Sequence, residues 1–449
     1  MKTNSDEMHN QEMLLKKIRQ SSEVFDKLAN SYEVWVPESG WLAGRRNRDK
    51  NDSKRKNLTD WSILSFLLEI DNCHYPMADS YLQYGIDGVI RIAAETLETL
   101  KNNLQSELQD QTQLDIAYLE SLLHVWKRFR QFVADHMVLA LECAKQETSD
   151  TKKKRYEKIA KICQNLTINK PNTFCEALQL FWFTYLFRSP FGAGCIGRLD
   201  QLLYPFYKHD CEMGIWDQQE AEKMLEEMFT RMNEINTGDT LRNLMLSGQD
   251  AKGNDQTNEI TYLILVAYEN TGGSEPHLNV RFHEKTPKKL RDNCINMLSS
   301  GSGQPTIYFD EAVLPAMEKA GICHEDACQY ANDGCTETVI AGKSAIVFWQ
   351  YEMVKTVELT LFGGNENPCV KPVSMKKNSI HGADFVPKTN LLIGIESKKP
   401  QELTTFSEFL SAFFEQMDHQ LDHYFLMIKQ KMQEDQTVSI TSPFTAGTF

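Results

Sequence analysis

Cys335 and Glu337 stand two residues apart in the stretch NDGCTE, Asn332 to Glu337. In an extended segment, side chains i and i+2 project to the same side. A thiol and a carboxylate at that spacing would then share one space, with Thr336 turned away. Gly334 precedes the pair and Ala341-Gly342-Lys343 follows soon after, so the stretch is no helix interior. The carboxylate raises the thiol pKa and disfavours thiolate. The pair suits a thiol that gives up a hydrogen atom and a carboxylate that moves protons, rather than ionic attack. A partly buried structural cysteine is the plainer alternative.

Two further groups of residues invite a chemical reading. CHEDAC supplies Cys323, His324 and Cys328, with Cys335 beyond. Zinc patterns pair ligands across gaps of about two to four residues, and this spacing does not, so no metal is expected. In HLNVRFH, Leu278, Val280 and Phe282 alternate with Asn279, Arg281 and His283. That alternation predicts a strand with one polar face, which on its own reads as solvated.

The elements that must position these residues interleave helices with short strands, an α/β pattern with parallel strands inside. Ile86, Val89, Ala93, Leu97, Leu100 and Leu104 step by three or four and predict one buried helix stripe. ALQLFWFTYLF (Ala177–Phe187) reads as a buried helix, being too short to span a bilayer. PTIYF (Pro305–Phe309) predicts a strand. Residues 351–362 predict a helix stopped by Gly363-Gly364. Thr405 and Glu408 form a capping box for a helix with Phe409, Phe413, Met417, Leu421 and Phe425 on its stripe. TKKKRYEKIAK (Thr151–Lys161) reads as an exposed helix, and residues 42–58 as a solvated loop.

The bulk figures restrict the partners. The chain has 449 residues, 41% hydrophobic and 24% charged, enough for a sizeable core. A net charge of -14 argues against nucleic acid and against an anionic membrane surface. Eleven cysteines without a framework spacing favour free thiols in a reducing compartment, and no signal peptide follows the start, so a cytoplasmic location is expected.

YANDGCTETVIAGKSA resembles the thiyl-cysteine loop of the glycyl radical enzymes, the pyruvate formate-lyase-like family. Gly334, Cys335, Thr336 and Glu337 match the Gly-Cys-x-Glu motif of its dehydratase and decarboxylase branches. Other blocks are similar to the family's in the same order: NTFCEALQLFWF (Asn172–Phe183), GRLDQLLYPFYKHD (Gly197–Asp210), NLMLSGQDAKGNDQTNEITYLIL (Asn243–Leu265), GGSEPHLNVRFH (Gly272–His283) and SGQPTIYFDE (Ser302–Glu311). The similarity runs from about residue 70 onward. Structural roles are the plain reading of most of these residues: Arg198 and Asp200 as an ion pair beside a turn, Gln179 and Trp182 as helix packing.

The resemblance implies a ten-stranded α/β barrel of two antiparallel five-stranded half-barrels wrapped in helices. An N-terminal extension over 1–60 would precede a partial pyruvate formate-lyase-type domain over 61–449, which leaves the barrel incomplete. It implies Cys335 as the thiyl residue and Glu337 as general acid and base in radical C–X or C–C bond cleavage. It also turns the polar strand face toward the barrel and makes His283 a candidate for substrate binding. Phe348 and Trp349 are further candidates, because these two in IVFWQYE (Ile346–Glu352), like Gly192 and Ala193 in PFGAGCI (Pro190–Ile196), supply no acid or histidine for a small polyol. A more apolar or ring-bearing substrate would fit them. Acyl transfer of the formate acetyltransferase type is the less favoured alternative, since Gly334 stands where a second cysteine would be. The family's closing glycine loop, roughly RV-GY, does not occur before the final SPFTAGTF. The expectation is therefore a fragment, one half of a split enzyme or a non-catalytic remnant, inactive as an isolated chain. No cofactor is expected in the chain itself. A missing segment or a separate glycyl radical subunit would supply the glycyl radical, installed by a radical S-adenosylmethionine activase. A homodimer is expected.

Overall fold

The computed structural model describes residues 4–45, 80–102, 110–188, 194–234, 242–272, 275–334, 337–341, 343–344, 353–365, 394–397 and 400–434. They fall into two compact units, one within Met1–Ile346 and one within Val347–Ser439.

The first unit begins with α1 (Asn4–Ser31), α2 (Ser80–Asn102), α3 (Asp110–Gln146), α4 (Asp150–Ile168) and α5 (Phe174–Arg188). Helix α3 packs against α1, α2 and α4. The stripe predicted from Ile86 to Leu100 lies on α2, with Ile86, Val89 and Ala93 buried; Leu104 lies outside the described residues. Helix α5 is apolar all round and buried, as its composition requires. On α4, Lys152, Lys153 and Lys154 are exposed, whereas Tyr156, Ile159 and Ala160 join the core. Phe25 and Leu28 of α1, with Tyr32 just after it, join that same core, so α1 belongs to this unit.

The start of the expected solvated loop is a correction: Leu42 and Ala43 are fully buried. Gln179 on α5 accepts from the Ala43 N–H at 2.7 Å and donates to its carbonyl at 3.0 Å, and Trp182 donates to the Gly44 carbonyl at 2.9 Å. Residues 46–58 lie outside the described residues.

Four strands follow: β1 (Gly194–Gly197), β2 (Arg242–Ser247), β3 (His277–Phe282) and β4 (Thr306–Phe309). They form one parallel sheet in chain order. Parallel neighbours need crossovers. Helices α6 (Leu199–Met213) and α7 (Gln218–Glu234) join β1 to β2, α8 (Glu259–Thr271) joins β2 to β3, and α9 (Lys288–Ser299) joins β3 to β4. Leu244, Leu246, Leu278 and Val280 are fully buried in the main core. The opposite face of the sheet carries Met245, in a second cluster with Cys328, Tyr330, Ala331 and Val339.

That second cluster belongs to the end of the unit. After α10 (Asp310–Lys319) and the single turn α11 (His324–Ala327), β5 (Ala331–Asp333) and β6 (Glu337–Val339) pair antiparallel. Strand β5 lies against β1 and β2.

The second unit holds α12 (Met353–Leu361) and α13 (Phe406–Glu434). Gly363 and Gly364 stop α12 in left-handed conformations, at φ 62 and 89. Thr405 and Glu408 form the expected box: the Glu408 carboxylate accepts from the Thr405 N–H at 3.0 Å, and the Thr405 hydroxyl from the Glu408 N–H at 3.2 Å. Thr356 donates to Gln420 at 3.0 Å and ties the two helices together.

Candidate functional site

The hairpin of β5 and β6 brackets the predicted chemistry. Asp333 pairs with Glu337 across the two strands, and Gly334 follows Asp333 at φ 52. Cys335 and Thr336 themselves lie outside the described residues, as do Phe348 and Trp349. The Glu337 carboxylate packs over Gly334: a Cβ added at Gly334 would meet Glu337 Oε2 at 2.6 Å. Glycine is needed twice there, for its φ and for the close carboxylate.

Side chains of the sheet hold the hairpin at both ends. Register places Met245 beside Asn279 and Ser247 beside Arg281, so these residues and Asn243 share the face opposite the main core. Near the tip, Asn243 Nδ2 donates to the Gly334 carbonyl at 2.6 Å, and Asn279 Nδ2 donates to Asn243 Oδ1 at 2.8 Å. Both asparagines are fully buried. At the base, Arg281 donates to the carbonyls of Cys328 at 2.9 Å and Tyr330 at 3.3 Å. Its guanidinium is fixed from behind by both oxygens of Asp310 at 2.8 Å, and it lies over the Tyr330 ring. Tyr330 donates its hydroxyl to Asp310 at 3.0 Å, and burial pushes that phenol well above its usual range.

Arg198 joins the same base. It donates to the carbonyls of Cys328 at 3.3 Å and Ser247 at 2.8 Å. Asp200 accepts from the Ser247 N–H at 2.8 Å and from the Thr261 hydroxyl at 2.8 Å. Arg198 and Asp200 therefore meet at Ser247, a non-glycine residue at φ 62, and clamp the end of β2. Burial, with Arg281 nearby, lowers Arg198 to about 10. Burial raises Asp200 above the ordinary carboxylate range.

The structure does not bring His283 to this hairpin. It lies just past the end of β3, where Nε2 is 2.9 Å from Asp255 and the backbone N–H donates to Thr286 at 2.7 Å. The Gly334 carbonyl is held at the other end of the sheet, through Asn243, whose register partner is His277. The polar face of β3 is buried, not solvated, and Asn279 and Arg281 are the residues on it that bond toward the hairpin. In the CHEDAC segment, His324 lies 2.6 Å from Glu318 and 3.6 Å from the Cys328 sulfur.

Sequence reasoning missed Asn243, Asn279 and Arg281 as the supports of the loop. The available signal was the set of polar residues within RNLMLS and HLNVRF, because parallel strands are covered on both faces.

Comparisons with known proteins agree with this arrangement. The chain is 31% identical over 301 residues to a trans-4-hydroxy-L-proline dehydratase of Clostridioides difficile, covering 63% of this chain and 36% of that protein. It is 30% identical over 275 residues to a (2S)-3-sulfopropanediol dehydratase of Klebsiella oxytoca, covering 58% of this chain and 33% of that protein. The chain thus spans about a third of the length of these curated relatives. Among solved structures, a B12-independent glycerol dehydratase from Clostridium butyricum superposes with a TM-score of 0.72 at 19% identity, covering 98% of this chain and 65% of that one. That likeness is one of fold. The hydroxyproline dehydratase of Clostridioides difficile gives 0.69 at 26% identity, with 84% of this chain and 47% of that one covered. The family profile described as "Pyruvate formate lyase-like" matches residues 72–437, and the chain belongs to that family.

Proposed function

We propose that this chain carries the thiol and carboxylate of a glycyl radical lyase that cleaves a C–X or C–C bond in a small organic substrate. The observation that carries the reading is the Gly334 carbonyl fixed by buried Asn243, with the Glu337 carboxylate packed over the same glycine. Anchors at Gly334 and Glu337, on either side of Cys335 in the chain, would serve to keep two groups at fixed distances from one substrate carbon. Cys335 would take a hydrogen atom from the substrate and return it, and Glu337 would move the accompanying proton. The stored radical, when present, supplies the hydrogen-atom abstraction that starts the cycle. The four parallel strands β1–β4 would form part of the ten-stranded barrel, whose walls exclude water. Dehydration is the favoured outcome, since relatives include hydroxyproline and sulfopropanediol dehydratases. Further parts of this reading are a radical S-adenosylmethionine activase as partner, a glycyl radical from another segment or subunit, a homodimer and a cytoplasmic setting. Phe348 and Trp349 would line the substrate side. His283, held by Asp255, would reach a substrate only at the far end of the sheet.

The test is Cys335→Ser in protein activated anaerobically together with the glycine-bearing segment. A panel of small hydroxylated acids, amines and sulfonates serves as substrate. Turnover should vanish while circular dichroism and the melting temperature stay unchanged. Full activity of the serine variant would sink the assignment.

A further inference from the structure

The loop carbonyl dictates the polarity of the relay that supports it. The Gly334 carbonyl can only accept, so Asn243 turns its Nδ2 to it, at 2.6 Å. Asn243 Oδ1 then faces Asn279, which presents its own Nδ2 at 2.8 Å. The same nitrogen reaches the His277 carbonyl at 3.2 Å. Both amide hydrogens of Asn279 are thereby placed. Turning that amide over would set its oxygen against two acceptors. Asn279 Oδ1 is therefore fixed as an acceptor on the remaining side.

That acceptor is not used by the fold. Asn279 is fully buried, and its Oδ1 meets no hydrogen-bond partner among the described residues. The neighbours on the same sheet face are committed elsewhere or have nothing to give. Register sets Met245 on one side of Asn279 and Thr306 on the other. Met245 has no donor. The Thr306 hydroxyl lies 3.2 Å from His277 Nε2. Two residues along the strand, Arg281 is held by Asp310 and by the carbonyls of Cys328 and Tyr330. His277 and Thr306 are half-buried, so this end of the face is not sealed. Protein interiors leave few polar atoms unmet, and one of fixed orientation beside a reactive loop is suited to a ligand's donor.

We propose that Asn279 is a substrate-binding residue whose Oδ1 accepts a hydrogen bond from a hydroxyl of the substrate. The inference rests on the proposed function for the use of the site. A neutral amide takes a neutral donor without the burial of a charge, which favours a hydroxyl over an ammonium group. The substrate class is then a hydroxylated one. Because Asn279 and Gly334 are joined through Asn243, the relay ties the place of that hydroxyl to the place of the loop that carries Cys335. Asn279 moves no proton and takes no part in bond cleavage; it selects.

The test is equilibrium binding to the full, unactivated chain by isothermal titration calorimetry. The probes are pairs that differ by one hydroxyl: trans-4-hydroxy-L-proline against L-proline, isethionate against ethanesulfonate, and ethylene glycol against ethanol. For at least one pair the wild type should bind the hydroxylated member about tenfold tighter or more, the weight of a buried acceptor left unmet. Asn279→Leu fills similar space without an acceptor and should bring that ratio close to unity. A residue that only supports the loop would weaken both members alike and leave the ratio intact, which would overturn the proposal. Circular dichroism checks the fold of the variant, and Asn279→Ala is measured should Asn279→Leu fail to fold. The wild type can also overturn the proposal by itself. Equal binding within every pair would mean that a water already satisfies Oδ1, and binding of no probe would mean that Asn279 faces no substrate space. Activity retained by Cys335→Ser would overturn the radical reading and leave these binding ratios untouched.

Discussion

Asn243 donates its side-chain amide to the Gly334 carbonyl at 2.6 Å, although 91 residues separate them in the chain. Asn279 in turn donates to Asn243, so two strands position one loop carbonyl through two buried amides. Removing Asn243 takes the donor from the Gly334 carbonyl and leaves the Asn279 amide with the His277 carbonyl at 3.2 Å. Asn243→Ala should lower stability by about 1–3 kcal/mol in urea unfolding. Combined with Asn279→Ala, the double-mutant cycle should show a coupling of about 0.5–3 kcal/mol. Additive losses would show that the two amides do not act as a unit.

Gly334→Ala tests the close approach of Glu337. The new Cβ would need the space of a carboxylate oxygen 2.6 Å away, at a φ of 52 that alanine resists. We expect a loss of about 1–3 kcal/mol and a displaced Glu337. A variant as stable and as active as the parent would show that the glycine is not required.

The base of the hairpin depends on a buried ion pair. Arg281 and Asp310 both have fully buried side chains. Arg281→Ala removes the ion-pair partner of the Asp310 carboxylate and the donor to the Tyr330 carbonyl, and should cost about 3–5 kcal/mol. The double variant with Asp310→Ala should recover part of that loss. Chemical denaturation of the three variants checks the order.

Acid stability should depend on His136, far from the hairpin. Burial lowers it from 6.5 to about 4, against a weaker opposing effect of its 2.8 Å contact with the Phe132 carbonyl. The ring sits against Phe132 and Phe183. The folded pKa is depressed, so the unfolded chain binds the proton more readily. The contribution is whole above pH 6.5 and is lost as the pH falls toward 4, about 3 kcal/mol in all. Unfolding midpoints of His136→Gln measured across that window should show a flatter slope than the parent.

The legible parts of this molecule were those set by local periodicity. The alternation in HLNVRFH predicted β3, and Thr405 with Glu408 predicted the start of α13. The Gly-Cys-x-Glu tetrapeptide marked this stretch as the candidate site, although not as a hairpin. Strand β1, four residues with a glycine at each end, carries too little pattern to detect. Strand β2 is buried on both faces and reads as an apolar run with no period. Arg281 looked solvated because its partners, Asp310, Cys328 and Tyr330, lie 29, 47 and 49 residues away. His283 shared the alternation of Asn279 and Arg281, yet it stands past the last strand residue, where Asp255 takes it up. The alternation records which side a residue faces; it does not record where along the sheet the site lies.

The order of strands along the sheet is the order of strands along the chain. Each strand pairs with its predecessor in the chain through a helical crossover, so no closure has to bridge more than one such connection. The hairpin is different. Its own two strands pair locally, but Asn243, Arg281 and Arg198 can grip it only after β2 and β3 stand side by side. The nucleus of folding should therefore lie in the helices and parallel strands, with the reactive loop docking late. Substitutions at its anchors should then speed unfolding more than they slow folding.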